Sequence, residues 1–265
     1  MPRKLLRLLE PPPSGNLGAT VKGVLVLTVT GIFFVLIGFF QAQKGEDETP
    51  EQRIARARKQ WGEVTQRRCQ ELKVTFPPQR VLFRAYKSER QLELWIGNEA
   101  GPLKLYKTFA VAAASGTIGP KRKEGDKQVP EGGYFIDRFN PRSSYYLSLG
   151  LNYPNTFDRA VADPKQPGSD IFIHGSNVSI GCLAMTDDGI REIYPLALDA
   201  TNAGQTRIPV LIFPCKMTRE NLERINREYP QWTELWKQLA AVDAEFTRTK
   251  LPPLVEVSKK GYSLK

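Results

Sequence analysis

The chain has 265 residues, enough for one substantial core with appendages. Its 38 basic and 28 acidic side chains leave a net charge of +10, which suits a polyanionic partner: nucleic acid, a membrane surface or a carboxylate-rich wall polymer. One histidine and three scattered cysteines lack the paired ligand spacing of a zinc site, so no metal is expected.

Residues 1–22 read as a short cytoplasmic tail in which Pro11, Pro12 and Pro13 preclude a helix. Residues 23–42, GVLVLTVTGIFFVLIGFFQA, carry no charge and are long enough to span a hydrocarbon core as one helix. A signal-peptide apolar region is shorter, and Phe40 is bulky for cleavage after Ala42, which favours an uncleaved anchor. Arg3, Lys4, Arg7 and Lys22 precede the segment and Glu46, Asp47 and Glu48 follow it. The positive-inside tendency therefore predicts one pass through the cytoplasmic (inner) membrane, with the rest of the chain in the periplasm or cell envelope. Export removes nucleic acid from the list of partners. It also permits a Cys69–Cys215 disulfide, although two buried thiols fit the sequence as well.

Residues 43–79 read as an acidic linker followed by an amphipathic helix. Ile54, Ala57, Trp61 and Val64 share one helical face, flanked by arginines and lysines. Packing on the following domain is expected, with anionic lipid headgroups as a further contact. Pro77 and Pro78 end this region. Short strands are predicted at 81–86, 92–96, 103–111, 134–139, 145–149, 171–173 and 208–213, the first two joined by a hairpin turn at 87–90. Thr186 caps a predicted helix whose first turn holds Asp187 and Asp188. Its buried face is Ile190, Ile193, Tyr194 and Ala197, and Pro195 kinks or ends it. Residues 218–228 and 231–247 read as two helices around Pro230, with Trp232, Leu235, Trp236 and Leu239 as a packed stripe. No element is predicted from Lys250 onward. The fold class is mainly β with flanking helices (α+β), a β-sandwich or mixed sheet over residues 80–217, with C-terminal helices and a tail at 218–265.

The chemistry concentrates in IFIHGSNVSIGCLAMTDDGIREIYPL, residues 171–196. A predicted strand delivers His174, the only histidine, and Cys182 follows eight residues later on a glycine-flanked turn. A thiol nucleophile needs an imidazole to take its proton and backbone N–H groups to hold an oxyanion. This segment offers both, with Gly175 and Gly181 permitting a tight loop. By spacing alone the pair is a weak pattern, for which a buried thiol and a satisfied core histidine are the commoner explanation.

The wider text is more specific. HG followed by SxGC resembles the active-site motif of the L,D-transpeptidase (YkuD-type) family of peptidoglycan enzymes, and VSIGCLAMTDDGIREIY resembles its YafK-like branch. Similarity extends through YKSERQLELWIG, SGTIGPKRKEGDKQVPEGGYFIDRFNPRSSYYLSLGLNYPN and GQTRIPVLIFPCKM, about residues 86–217. Where many members have SHGC, this chain has Ile180, leaving His174 as the only imidazole base. The resemblance implies a YkuD-like catalytic fold, Cys182 as nucleophile, His174 as base, and no cofactor. The expected reaction forms a thioester with a wall peptide stem, resolved by an amine (transpeptidase) or by water. Similarity to the YafK-like branch implies the hydrolytic alternative, release of a wall-linked lipoprotein from diaminopimelate. A non-catalytic, membrane-tethered wall-binding module is the third reading. Gly181 and Cys182 N–H groups are the expected oxyanion donors, and Ser176, Ser179 or a backbone carbonyl the groups that orient the site. Stem carboxylates call for cations; the candidates are Arg122 with its neighbours Lys121 and Lys123, Arg138 and Arg142, with Tyr134 packing on a stem.

Overall fold

The computed structural model describes residues 48–265, which form one compact unit; the expected tail and membrane anchor at 1–42 lie outside the described residues. Among the described residues no helix is long and apolar enough to cross a membrane.

Helix α1 (Pro50–Glu71) starts at a reciprocal capping box in which the Thr49 hydroxyl accepts the Gln52 N–H and the Gln52 side chain accepts the Thr49 N–H. Pro50 occupies the first helical position, where its missing N–H costs nothing. The inward stripe runs through Ile54, Ala57 and Trp61 but continues to Thr65 and Cys69, leaving Val64 exposed. A step of four from Trp61 keeps pace with 3.6 residues per turn, and the Thr65 hydroxyl is satisfied by the Trp61 carbonyl at 2.8 Å.

The strands are β1 (Arg80–Tyr86), β2 (Gln91–Gly97), β3 (Lys104–Ala110), β4 (Gly132–Asn140), β5 (Ser148–Leu151), β6 (Phe172–His174), β7 (Leu183–Ala184) and β8 (Ile208–Phe213). They build one mixed sheet in the order β3-β2-β1-β8-β4-β5-β6-β7. Only β1–β8 and β6–β7 run parallel. The sheet curls until its ends meet: the Ala112 N–H bonds to the Ala184 carbonyl (2.8 Å) and the Ala184 N–H to the Ala113 carbonyl (3.1 Å). The mixed sheet, rather than a sandwich, is the expected fold class realised.

Central strands β1 and β8 are buried on both faces, as their near-continuous apolar runs require. On the inner face Val81, Phe83, Val210 and Ile212 join Ile173 and Leu149 in a core closed by α1 and by α3 (Thr186–Asn202). On the outer face Leu82, Leu211 and Phe213 meet the C-terminal elements α4 (Arg219–Glu228) and α5 (Thr233–Thr249), with Trp236, Leu239 and Phe246 at the centre. The short helix α2 (Thr156–Val161) follows β5 and is capped by Asn155.

Three expectations are corrected here. Pro195 does not end α3, which continues to Asn202, because burial of Ile193, Tyr194, Leu196 and Ala197 offsets the roughly 3 kcal/mol a helix-interior proline costs. Tyr145 belongs to the loop before β5 rather than to the strand. The tail is not featureless: β9 (Val255–Ser258) and β10 (Gly261–Leu264) form a hairpin that buries Tyr262. The cysteine alternative is also decided. Cys69 lies in the inner core and Cys215 in the outer one, on opposite faces of the sheet, and both are free thiols that burial pushes up, to about 11 and about 12.

Candidate active site

The parallel pairing of β6 with β7 sets Ile173 beside Leu183 and His174 beside Ala184. By the same register Cys182 sits beside Phe172, whose N–H donates to the Cys182 sulfur at 3.4 Å. Side chains alternate along a strand. With Ile173 and Leu183 pointing into the core, His174 and Cys182 therefore share the opposite face. Both line a cavity of about 350 Å³ together with Ser148, Asp170, Phe172 and residues 143–145 of the β4–β5 loop. Among the described residues no hydrogen bond joins the imidazole to the thiol.

The His–Gly step has a steric cause. A Cβ at Gly175 would lie 2.6 Å from the Tyr145 carbonyl and 2.7 Å from the Asp187 carboxylate. Gly181 adopts φ +93°, the left-handed region that favours glycine. The intervening loop is tied to the start of α3, where the Ser176 N–H donates to Asp187 Oδ1 at 2.7 Å and the Met185 N–H to the His174 carbonyl at 2.8 Å. Asp187 also faces the positive end of α3.

His174 Nδ1 lies 2.6 Å from the Gly175 carbonyl. A carbonyl only accepts, so Nδ1 carries the proton and Nε2 keeps its lone pair. A backbone carbonyl thus orients the imidazole, and Ser176 does not: it faces a separate surface hollow with Arg53 and Asp187. Burial holds the imidazole below its ordinary pKa, opposed by the Gly175 bond. Burial pushes the Cys182 thiol up, opposed by the Phe172 N–H, with Asp170 adding to the rise and Lys121 reducing it. At neutral pH the pair is therefore thiol and neutral imidazole.

The expected oxyanion donors are already engaged. The Gly181 N–H donates to Ser115 Oγ at 2.6 Å, and the Cys182 N–H donates to Ser179 Oγ at 2.9 Å. Ser179 in turn donates to the Cys182 carbonyl at 2.6 Å, so it braces the turn. Ser115 comes from the loop after β3, far upstream, and no local pattern announces it.

The cation candidates separate. Arg138 borders the cavity, paired with Asp170 at 3.0 Å and stacked over Phe172 at 4.7 Å. Arg142 is exposed in the loop beside Ser143. Arg122 is taken up elsewhere, stacked on Phe157 and Trp232, because the aromatic faces of the outer core attract its guanidinium. Lys121 is buried in an ion pair with Asp126 at 2.8 Å, close enough to act on Cys182, while Lys123 remains on the surface. Tyr134 does not line the cavity: as an inward residue of β4 it is buried, with its hydroxyl 3.3 Å from Asp158. Sequence reasoning missed Tyr145, whose ring centroid lies 4.7 Å from that of His174, and Asp170, whose carbonyl accepts the Cys182 S–H at 3.6 Å. Loop residues of this kind carry no periodicity to expose them.

Residues 80–212 match the model of the YkuD family, described as the L,D-transpeptidase catalytic domain. YafK of Escherichia coli (strain K12) is 35% identical over 184 residues, covering 69% of this chain and 72% of that protein. Among solved structures, the helical cell shape determining protein Pgp2 of Campylobacter jejuni aligns at 18% identity over 68% of this chain and 73% of that chain, with a TM-score of 0.42. L,D-transpeptidase 1 of Mycobacterium tuberculosis aligns at 14% identity over 50% of this chain and 61% of that one, with a TM-score of 0.27. Such overlays are too loose to carry a residue correspondence. The family match spans half of the chain and encloses both His174 and Cys182; this protein belongs to the L,D-transpeptidase (YkuD) catalytic-domain family of enzymes that act on peptidoglycan.

Proposed function

We propose that this is a membrane-anchored, exported cysteine enzyme in which Cys182 takes an acyl group from a wall peptide stem. The observation that carries the reading is the shared cavity, in which His174 keeps Nε2 unprotonated on the same face as the Cys182 sulfur. Both groups start neutral, so the thiol proton passes to His174 Nε2 as the sulfur attacks the amide carbonyl. The C–N bond of the tetrahedral adduct breaks, His174 returns the proton to the leaving amine, and a Cys182 thioester remains. An incoming amine gives transpeptidation and water gives hydrolysis, with His174 again the base. The developing oxyanion needs donors, and it competes with Ser179 for the Cys182 N–H and with Ser115 for that of Gly181. Arg138, at the rim, is the cation placed to meet a stem carboxylate. The charge-free segment 23–42 supports anchoring in the inner membrane with the catalytic unit in the periplasm.

The reading is tested by incubating the full chain with defined peptidoglycan stems and lipoprotein-linked wall fragments, followed by mass spectrometry. An acyl adduct on Cys182, absent in Cys182→Ala, is expected. New crosslinks or amino-acid exchange identify the transpeptidase; freed peptide or lipoprotein alone identifies the hydrolase. No adduct and no turnover on either substrate overturns the catalytic reading in favour of a wall-binding module.

A further inference from the structure

A cavity of about 730 Å³, larger than the one at Cys182, lies between the β4–β8 region of the sheet and the C-terminal hairpin. Phe135, Pro209, Leu211 and the 72% exposed Leu254 give it apolar walls. Arg159 and Arg207 are exposed along it, Lys265 adds a third cationic side chain, and Glu256 is the one acidic side chain in its lining among the described residues. Arg159 donates to the Pro154 carbonyl, and neither arginine makes an ion pair among the described residues. Arg207 stacks on Phe135 at 4.9 Å, which holds the guanidinium over the apolar wall.

The hairpin adds a second, independent feature. The Lys265 N–H bonds to the Leu254 carbonyl, and the register pairs Leu264 with Val255 and Tyr262 with Val257. Hydrogen-bonded and non-hydrogen-bonded pairs alternate in an antiparallel ladder. The backbone N–H and C=O groups of Val255 and Val257 therefore point away from β10. The opposite edge of the hairpin is covered, the Tyr262 N–H donating to Gln238 of α5 at 2.9 Å. The Val255–Val257 edge borders the cavity, and among the described residues it has no strand partner.

We infer that this groove binds an acidic protein segment in extended conformation, added as a strand to the outer edge of β9 with its carboxylates on Arg159 and Arg207. Main-chain pairing supplies an extended register and the two guanidinium groups select acidic side chains. A lipid leaves the main-chain N–H and C=O groups of the free edge unpaired, and a compact anion leaves the apolar walls unused as well. Phe135 and Phe172 both turn away from the inner core, so the groove opens on the same face of the sheet as Cys182, three strands across from it. A bound segment is thereby held beside the catalytic cavity. The site goes beyond the proposed function and does not depend on the chemistry of Cys182.

The test is fluorescence anisotropy of the full chain with a labelled peptide alternating glutamate and valine, against a lysine–valine counterpart. Saturable binding of the acidic peptide alone is expected. Arg159→Glu combined with Arg207→Glu should weaken it at least tenfold, as should Val257→Pro, which removes an N–H that the hairpin itself does not use. Thermal melts close to wild type confirm that the exposed substitutions leave the fold intact, and Cys182→Ala should bind unchanged, which separates this site from the catalytic one. Absence of saturable binding, equal affinity for the lysine peptide, or insensitivity to Val257→Pro overturns the proposal. So does tighter binding of soluble wall stems than of the acidic peptide, which assigns the groove to the wall polymer.

Discussion

At the residue scale, the environment of His174 and Cys182 sets how the proposed nucleophile would be activated. A preformed thiolate–imidazolium pair needs a lowered thiol pKa and a raised imidazole pKa, whereas burial moves both in the opposite sense. Protonating His174 removes the base, so turnover should fall only as pH drops below the ordinary imidazole range and should hold a plateau through neutrality. Alkylation of Cys182 by iodoacetamide should rise about tenfold per pH unit up to beyond the ordinary thiol range, since the thiolate is the reactive form. An alkylation plateau extending down to acidic pH would show instead that an ion pair exists at rest. The motif histidine, cysteine and glycines were all legible in sequence, because each is required by local chemistry or local backbone. Ser115, Tyr145 and Asp170 were not, because they reach the Gly181 turn or the cavity from separate loops whose proximity depends on strand order.

At the element scale, α1 is more than a lead-in to the catalytic domain. The Arg53 guanidinium donates to the carbonyls of Pro141, Ser143 and Tyr146 at 3.3, 2.9 and 2.6 Å and lies over the Tyr146 ring at 5.4 Å. These bonds hold the β4–β5 loop, which carries Ser143, Ser144 and Tyr145 into the cavity against His174. Arg58 adds a two-pronged pairing with Asp199 of α3, at 3.0 and 2.5 Å. Arg53→Ala should lower kcat by on the order of tenfold through loss of positioning, with little change in melting temperature and an unchanged pH profile. A wild-type kcat in that variant would sink the clamp. The arginine flank of the helix was visible in sequence and suggested lipid headgroups. Three of those arginines, Arg53, Arg58 and Arg68, engage the domain, because loop carbonyls, the Asp199 carboxylate and the Tyr106 carbonyl await them.

At the scale of the whole molecule, the family match ends at residue 212 but the folded unit does not. Trp236 of α5 is completely buried, and its indole N–H donates to Glu131 Oε2 at 2.8 Å. Glu131 also receives Lys87 at 2.9 Å and the Gly119 N–H at 2.8 Å, so one buried carboxylate joins α5, the β1–β2 turn and the long loop before β4. Trp236→Ala should destabilise the protein by about 3–5 kcal/mol, read by urea denaturation with an unchanged m-value, because it opens a cavity and strips a partner from a buried charge. A loss below about 1 kcal/mol would mean that the C-terminal helices are dispensable for the catalytic unit.

The sequence by itself determined the nucleophile–base candidates, the family, seven of the ten strands and most of the long-helix faces, because these rest on periodicity, local backbone demands and a motif whose residues are contiguous. Strand β7, the C-terminal hairpin and the short helix α2 are too brief to show a period. Only the tertiary structure decided that the sheet curls back on itself, that Cys69 and Cys215 lie in separate cores, and that Tyr134 and Arg122 stand away from the cavity while Arg138 borders it. The same holds for the hairpin at the C-terminal end, whose short strands gain their stability from packing Tyr262 under α5 rather than from their own propensity. Those outcomes turn on which strands become neighbours, and that is set by the summed burial of two cores rather than by any single stretch of chain.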